Sequence, residues 1–294
     1  MKWPFFTHDD SSQRIARYET RAVDLIGLRR HLPAMRTTAD ELAHSTTHFQ
    51  IEECKAFVLY SMQGLAALGD LHLAAMADLE QGRHFGAMVL AKESIRLAVD
   101  TIYVLCDPEA DRLESLVRRH LDAQRERVSR WHHAFPDDAQ PGPWLARLDA
   151  RCRLSPFYDR AAEWPTLTSR AASVGLDSWV HPILSKTSDA GEMATEQFID
   201  ALDSGRIPEP ERSSADTYRR ARGLSDTLYT EAVALNLFAH VLHQFAVCVN
   251  DTVAITVAES AKERMLSLIG EHDRLGEAHL NDTNVYVAVR STPS

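Results

Sequence analysis

The strongest constraint on this 294-residue chain is a run of apolar residues at helical spacing in its last third. Leu224, Leu228, Leu235, Phe238, Leu242, Phe245 and Val249 recur every three, four or seven positions. That spacing gathers them on one face of an α-helix. It predicts a helix from about Ala215 to His272, with Gly223 and the β-branched stretch Thr252 to Val257 as its weak points. A helix with one apolar face draws most of its stability from packing that face against other elements.

The rest of the chain offers the partners. Ser11 or Ser12 can cap a first helix bearing Ile15, Val23, Ile26 and Leu28, which Pro33 ends or interrupts. A second helix is predicted from Thr37 or Thr38 to about Gln81, with Leu42, Phe49, Phe57, Leu65, Leu68, Leu71 and Met76 on its face. Gly64 and Gly69 inside it either break it or admit a close neighbour. A third runs from His84 to Cys106. Asp107-Pro108-Glu109 then punctuates the chain, and a fourth, arginine-rich helix follows to His133, its charges forming a solvated face.

Residues 134–143 read as a loop, and 144–188 as short helices joined by turns at Pro156, Pro165, Gly175 and Pro182. A helix near 190–202 and a linker at 204–214 complete the middle. The tail after Leu280 is polar, with 284–289 a candidate short strand. The expected fold is all-α: one helical bundle over 1–294, with 134–214 a less regular insertion and 280–294 a tail.

Hydrophobic residues make up 45% of the chain, enough for a core without staples. The net charge of −10 argues against a dedicated duplex-DNA binder. Cys54, Cys106, Cys152 and Cys248 form no C-x-x-C pair and read as reduced thiols. Met1 to Phe6 is too short for a signal core, and no stretch approaches about 18 uninterrupted apolar residues, so no membrane span is expected. The most apolar stretch, Ala232 to Val249, carries Asn236, His240, His243 and Gln244 and reads as a buried helix. The expected location is the cytoplasm, away from membranes. Nucleotide loops, nucleophile elbows and zinc ribbons are absent from the sequence, so it identifies no cofactor.

Four groups of residues carry possible chemistry. Arg127 and His132 are five apart on the arginine-rich helix, a spacing that can pair a fixed cation with a proton shuttle. Asn236, His240 and His243 share one face of the last helix. Glu41 and His44 form a Glu-x-x-His step of the kind that ligates metals inside bundles, with His240, His243, Glu80 and His84 as further donors. Ser178-Trp179-Val180-His181 places a histidine beside a tryptophan in the irregular middle, where loops often hold function.

Leu90-Ala-Lys-Glu-Ser-Ile-Arg-Leu-Ala98, then Ile102-Tyr-Val-Leu-Cys-Asp-Pro-Glu109, then a basic helix, resembles a group of uncharacterised bacterial all-helical proteins. In these a later Ser/His segment follows, for which 178–181 stands here. The group is loosely similar to HEPN domains, and some members look like parts of bacterial defence or toxin–antitoxin loci. The resemblance implies a bundle that associates with itself or a protein partner, with metal-independent RNA cleavage by Arg127, His132 and His181 as its enzymatic form. The alternative readings are a Glu/His metal enzyme and a non-catalytic scaffold.

Overall fold

The computed structural model describes residues 8–47, 49, 55–107, 109–184, scattered positions within 191–209, and 211–281. Every regular element among them is helical: α1 (His8–Gly27), a single 3-10 turn (Leu28–His31), α2 (Leu32–Ser45), α3 (Ala56–Glu80), α4 (His84–Leu105), α5 (Asp111–Ala134), α6 (Pro141–Leu154), α7 (Leu167–Ser173), α8 (Asp177–Leu184), α9 (Glu211–Val249) and α10 (Thr252–Asn281). The protein is an all-α helical bundle.

The apolar stripe of α9 forms its axis. Leu228, Leu235, Phe238, Leu242 and Phe245 are fully buried. They pack with Leu65, Leu68 and Met76 of α3, Ile95 and Ile102 of α4, and Met265 and Leu268 of α10 in one continuous core. Each such side chain contributes about 1.5–3 kcal/mol on burial. The N-terminal half of α9 has its own partner in α1, where Tyr18, Ala22 and Leu25 meet Ala215, Tyr218 and Ala221. Arg14 closes that end with two bonds to Glu211, at 2.8 and 2.7 Å. One window of α9, of mean hydropathy 1.7, is long and apolar enough to cross a membrane, and 67% of it is buried inside the bundle. This is the buried helix that its interior histidines suggested.

Two expected helices are each a pair. The predicted run from Thr37 to Gln81 divides into α2 and α3, and the one from Ala215 to His272 into α9 and α10. The second break has a clear local cause. Asn250 takes the left-handed conformation at φ 58. Asp251 then caps α10, its Oδ1 accepting from the backbone N–H of Val253 at 3.0 Å and Ala254 at 2.9 Å. Pro33 sits in the first turn of α2 and so opens a helix as well as interrupting one.

Gly64 and Gly69 lie within the continuous α3 and admit neighbours. A Cβ at Gly64 would stand 2.5 Å from Thr101 Oγ1 of α4, and one at Gly69 would stand 3.2 Å from the Ala43 Cβ of α2.

α5 and α6 pair with each other and leave most of their surface in solvent; on α5 only Ser115 and Leu121 are buried. Asp107 holds the entrance of α5, its Oδ2 accepting from the Arg112 N–H at 2.7 Å. The middle segment is not wholly peripheral. Ala171 of α7, Leu176, and Val180 and Ile183 of α8 join the main core. The expected helix near 190–202 falls largely, and the candidate strand at 284–289 entirely, outside the described residues.

Candidate ligand-binding cleft

α4 carries Asp100 among buried apolar neighbours, Val99 and Ile102. A carboxylate there needs a partner or neutralisation. Its partner comes from α7: Arg170, 4% exposed, donates from Nε at 2.8 Å and approaches from Nη2 at 2.6 Å, both to Asp100 Oδ1. Arg170 Nη1 donates to the Pro165 carbonyl. Thr166 caps α7, accepting from the Ser169 N–H at 3.2 Å, which fixes where Arg170 emerges.

An aromatic layer backs this ion pair. The Arg170 guanidinium lies 4.7 Å from the centre of the Trp164 ring. Trp164 meets Tyr103 edge-on at 5.3 Å, and Arg112 covers Tyr103 at 4.2 Å. Trp164 is buried, and its indole N–H has no acceptor among the described residues. Burial pushes the Asp100 carboxyl above the usual carboxylate range, with Arg170 and Arg119 pulling the other way. Behind it, burial and the Asp100 charge raise the Tyr60 hydroxyl to about 12, so it stays protonated.

Asp100, Arg170 and Trp164 line a cleft of about 570 Å³, together with Glu93, Arg96 and Leu97 of α4, Arg119 of α5, and residues 165–167. That volume lies within the roughly 300–1,000 Å³ of small-molecule sites. Three guanidinium groups face it against two carboxylates, in a chain of net charge −10. Arg96 is engaged by Glu93. Arg119 is exposed and makes no hydrogen bond or ion pair with any described residue. The cleft can therefore take an anion at Arg119 without first breaking an ion pair.

The residues singled out from sequence lie elsewhere. Arg127 donates to the Ala123 carbonyl of its own helix at 3.3 Å, and His132 rests against His133 at 6.3 Å between ring centres; both are exposed. His181 is in α8, not in a loop, and with Asp177 borders a separate groove of about 170 Å³ between α7 and α8. It makes no hydrogen bond or ion pair with Arg127 or His132.

Glu41 is paired with Arg264 of α10, and His44 is exposed near the end of α2. Glu80 sits 3.6 Å from Arg36. Burial, then Arg29, lowers the pKa of His84. His240 and His243 do share a half-buried face of α9. There burial, Lys262 and His243 push His240 down to about 4, and His243 stands 3.7 Å from Glu259. Among the described residues no three His, Cys, Asp or Glu side chains form a group able to hold a metal ion.

Asp100, Arg119 and Arg170 were not singled out from sequence. The available signal was Asp100 itself, a charge set between the buried positions of an apolar helix. Its arginine lies 70 residues away and carries no local mark. Comparison with family models, with curated proteins and with solved structures finds no match for this chain.

Proposed function

We propose that the protein is a binding module for a small phosphate-bearing anion, held in the cleft between α4, α5 and α7. The observation that carries this reading is the unpaired Arg119 on a cleft whose other wall is the buried Asp100–Arg170 pair. Guanidinium is suited to phosphate because its donors match the spacing of phosphate oxygens. Arg170 cannot play that part without leaving Asp100 and Pro165, so it shapes the wall. Titration calorimetry with methyl phosphate and with a sugar phosphate at low salt tests the reading. Saturable binding that weakens about tenfold in Arg119→Ala, a loss of roughly one charged hydrogen bond, is expected. Absence of binding, or binding indifferent to Arg119, would overturn it.

A second reading concerns the α5–α6 hairpin. Arginines outnumber carboxylates between residues 111 and 154, against the trend of the whole chain, and Phe135 and Trp144 are 62% and 55% exposed near its tip. Cationic surface beside exposed aromatic rings suits single-stranded RNA. The resemblance of residues 90–109 to helical proteins loosely similar to HEPN domains is the ground for adding cleavage by Arg127 and His132. Retention of all ribonuclease activity by His132→Ala would remove that assignment.

A further inference from the structure

We infer that the ligand of the α4–α7 cleft is a phosphate ester carrying hydroxyl groups beside the phosphate, as in a sugar phosphate or the ribose phosphate of a nucleotide. The inference rests on the binding reading above and specifies the ligand that fits it.

The cleft has two chemical ends. Arg119 offers donors with no hydrogen-bond or ion-pair partner among the described residues. Asp100 offers the opposite: the two closest contacts from Arg170 fall on Oδ1, at 2.8 and 2.6 Å, and among the described residues Oδ2 accepts no hydrogen bond. The Asp100 side chain keeps 21% of its surface open and lines the same cavity as Arg119. An ionised carboxylate only accepts hydrogen bonds. A ligand that covers Asp100 must therefore bring donors, or it strips water from a carboxylate and returns nothing. Bare phosphate at neutral pH is poor in donors and meets charge repulsion from Asp100. A phosphate ester with neighbouring hydroxyls satisfies both ends at once.

Charge decides between two kinds of donor. Ammonium would also suit Asp100, in a zwitterion. The Arg170 guanidinium already holds Asp100 Oδ1, however, so a ligand ammonium at the same carboxylate would crowd like charge beside it. The phosphate of a monoester carries a charge of about −1.5 to −2 at pH 7 and is drawn to the guanidinium end of the cleft. Hydroxyls add donors without adding positive charge.

The experiment is a calorimetric series on the full chain with methyl phosphate, ribose 5-phosphate, adenosine 5′-monophosphate, ribose and O-phosphoethanolamine. Ribose 5-phosphate or the nucleotide should bind at least about tenfold tighter than methyl phosphate, the scale of one or two charge-assisted hydrogen bonds. Ribose alone should not bind measurably. Preference for ribose 5-phosphate over the nucleotide identifies a free sugar phosphate as the source; the reverse identifies a nucleotide. Equal binding of methyl phosphate and both hydroxylated esters overturns the inference and leaves anion binding standing. Tighter binding of O-phosphoethanolamine overturns it in favour of a zwitterion. Failure of every phosphate to bind overturns the anion reading itself. Asp100→Asn should shrink the preference for hydroxylated esters over methyl phosphate. Its thermal unfolding curve reports whether the fold survives, and the ligand series stands on the unaltered protein in either case.

Discussion

The imidazole of His72 and the carboxylate of Glu231 meet at 2.8 Å between α3 and α9, with neither side chain exposed to solvent. Phe238 stacks on the imidazole at 5.3 Å between ring centres. Each partner keeps one buried polar atom unbonded, His72 Nε2 and Glu231 Oε2. Burial raises the pKa of Glu231, against the opposing pull of His72. Removing one member strands the other, so His72→Leu should cost about 3–5 kcal/mol. Replacing both by leucine should be far milder, because it removes every unsatisfied atom together. Urea denaturation of the two single variants and the double variant measures the difference. A double variant as unstable as the worse single one would show that the pair is not the source of the cost.

The α3–α4 contact depends on a missing methyl group. Gly64→Ala would put a Cβ 2.5 Å from Thr101 Oγ1 and 3.0 Å from its Cγ2. Thr101 cannot swing away freely, since its hydroxyl donates to the Leu97 carbonyl at 2.7 Å. A loss of about 1–3 kcal/mol is expected, as for other overpacked cores. Thr101→Ala in the same chain should recover most of it. Thermal unfolding of the two variants is the check, and a double variant no better than Gly64→Ala alone would place the strain elsewhere.

Asp251 holds the corner between α9 and α10 with two backbone bonds. Asp251→Ala should cost about 1 kcal/mol. Asn250→Gly, which suits the left-handed backbone at that position, should be nearly neutral. Equal losses from both in denaturant titrations would mean that the corner is not held by the cap.

Helical periodicity made the bundle legible, but it hid the polar pairs inside it. Leu224, Leu228, Leu235, Phe238, Leu242 and Phe245 mark an almost unbroken interior register, and its single gap falls on Glu231. His72 fills the matching place in α3, four residues after Leu68 and four before Met76. The signal for that pair was therefore local: two charges at interior positions. The break at Asn250-Asp251 was also local, a left-handed residue followed by a cap, and the apolar spacing on both sides masked it. The cleft was different. Arg119 stood among many arginines on a solvated helix, and Arg170 in a stretch with no periodicity. Only the packing of α7 on α4 brings them to Asp100.

His240 gives the fold an acid limb. Burial first, then Lys262 and His243, push it down to about 4 from an ordinary 6.5, and Glu259 of α10 faces the same seam beside His243. The folded state therefore binds its proton less readily than the unfolded chain. This contribution is full above about pH 6.5 and is lost as pH falls towards 4. After allowing for partial exposure, about 1 kcal/mol should disappear between pH 7 and pH 5. Glu231 runs the other way: its raised value stabilises the fold at low pH and is lost as pH rises through it. His240→Gln should flatten the acid limb of the stability profile and leave the Glu231 trend. An unchanged slope between pH 7 and pH 5 would remove His240 as its cause.

Two arginines on one cleft should respond in opposite ways to the same substitution. Arg119 is exposed and unpaired, so Arg119→Ala should leave the unfolding midpoint nearly unchanged while phosphate binding falls. Arg170 is buried against Trp164, Asp100 and the Pro165 carbonyl. Arg170→Ala strands a carboxylate that burial already disfavours and should cost about 2–3 kcal/mol, somewhat less than a fully enclosed pair because Asp100 keeps an open edge. Asp100→Asn in the Arg170→Ala background should return part of that loss, since it removes the stranded charge. Chemical denaturation and phosphate titration on the same three proteins separate the roles. If Arg119→Ala unfolds the protein as readily as Arg170→Ala does, Arg119 is part of the scaffold and not a cation held ready for a ligand.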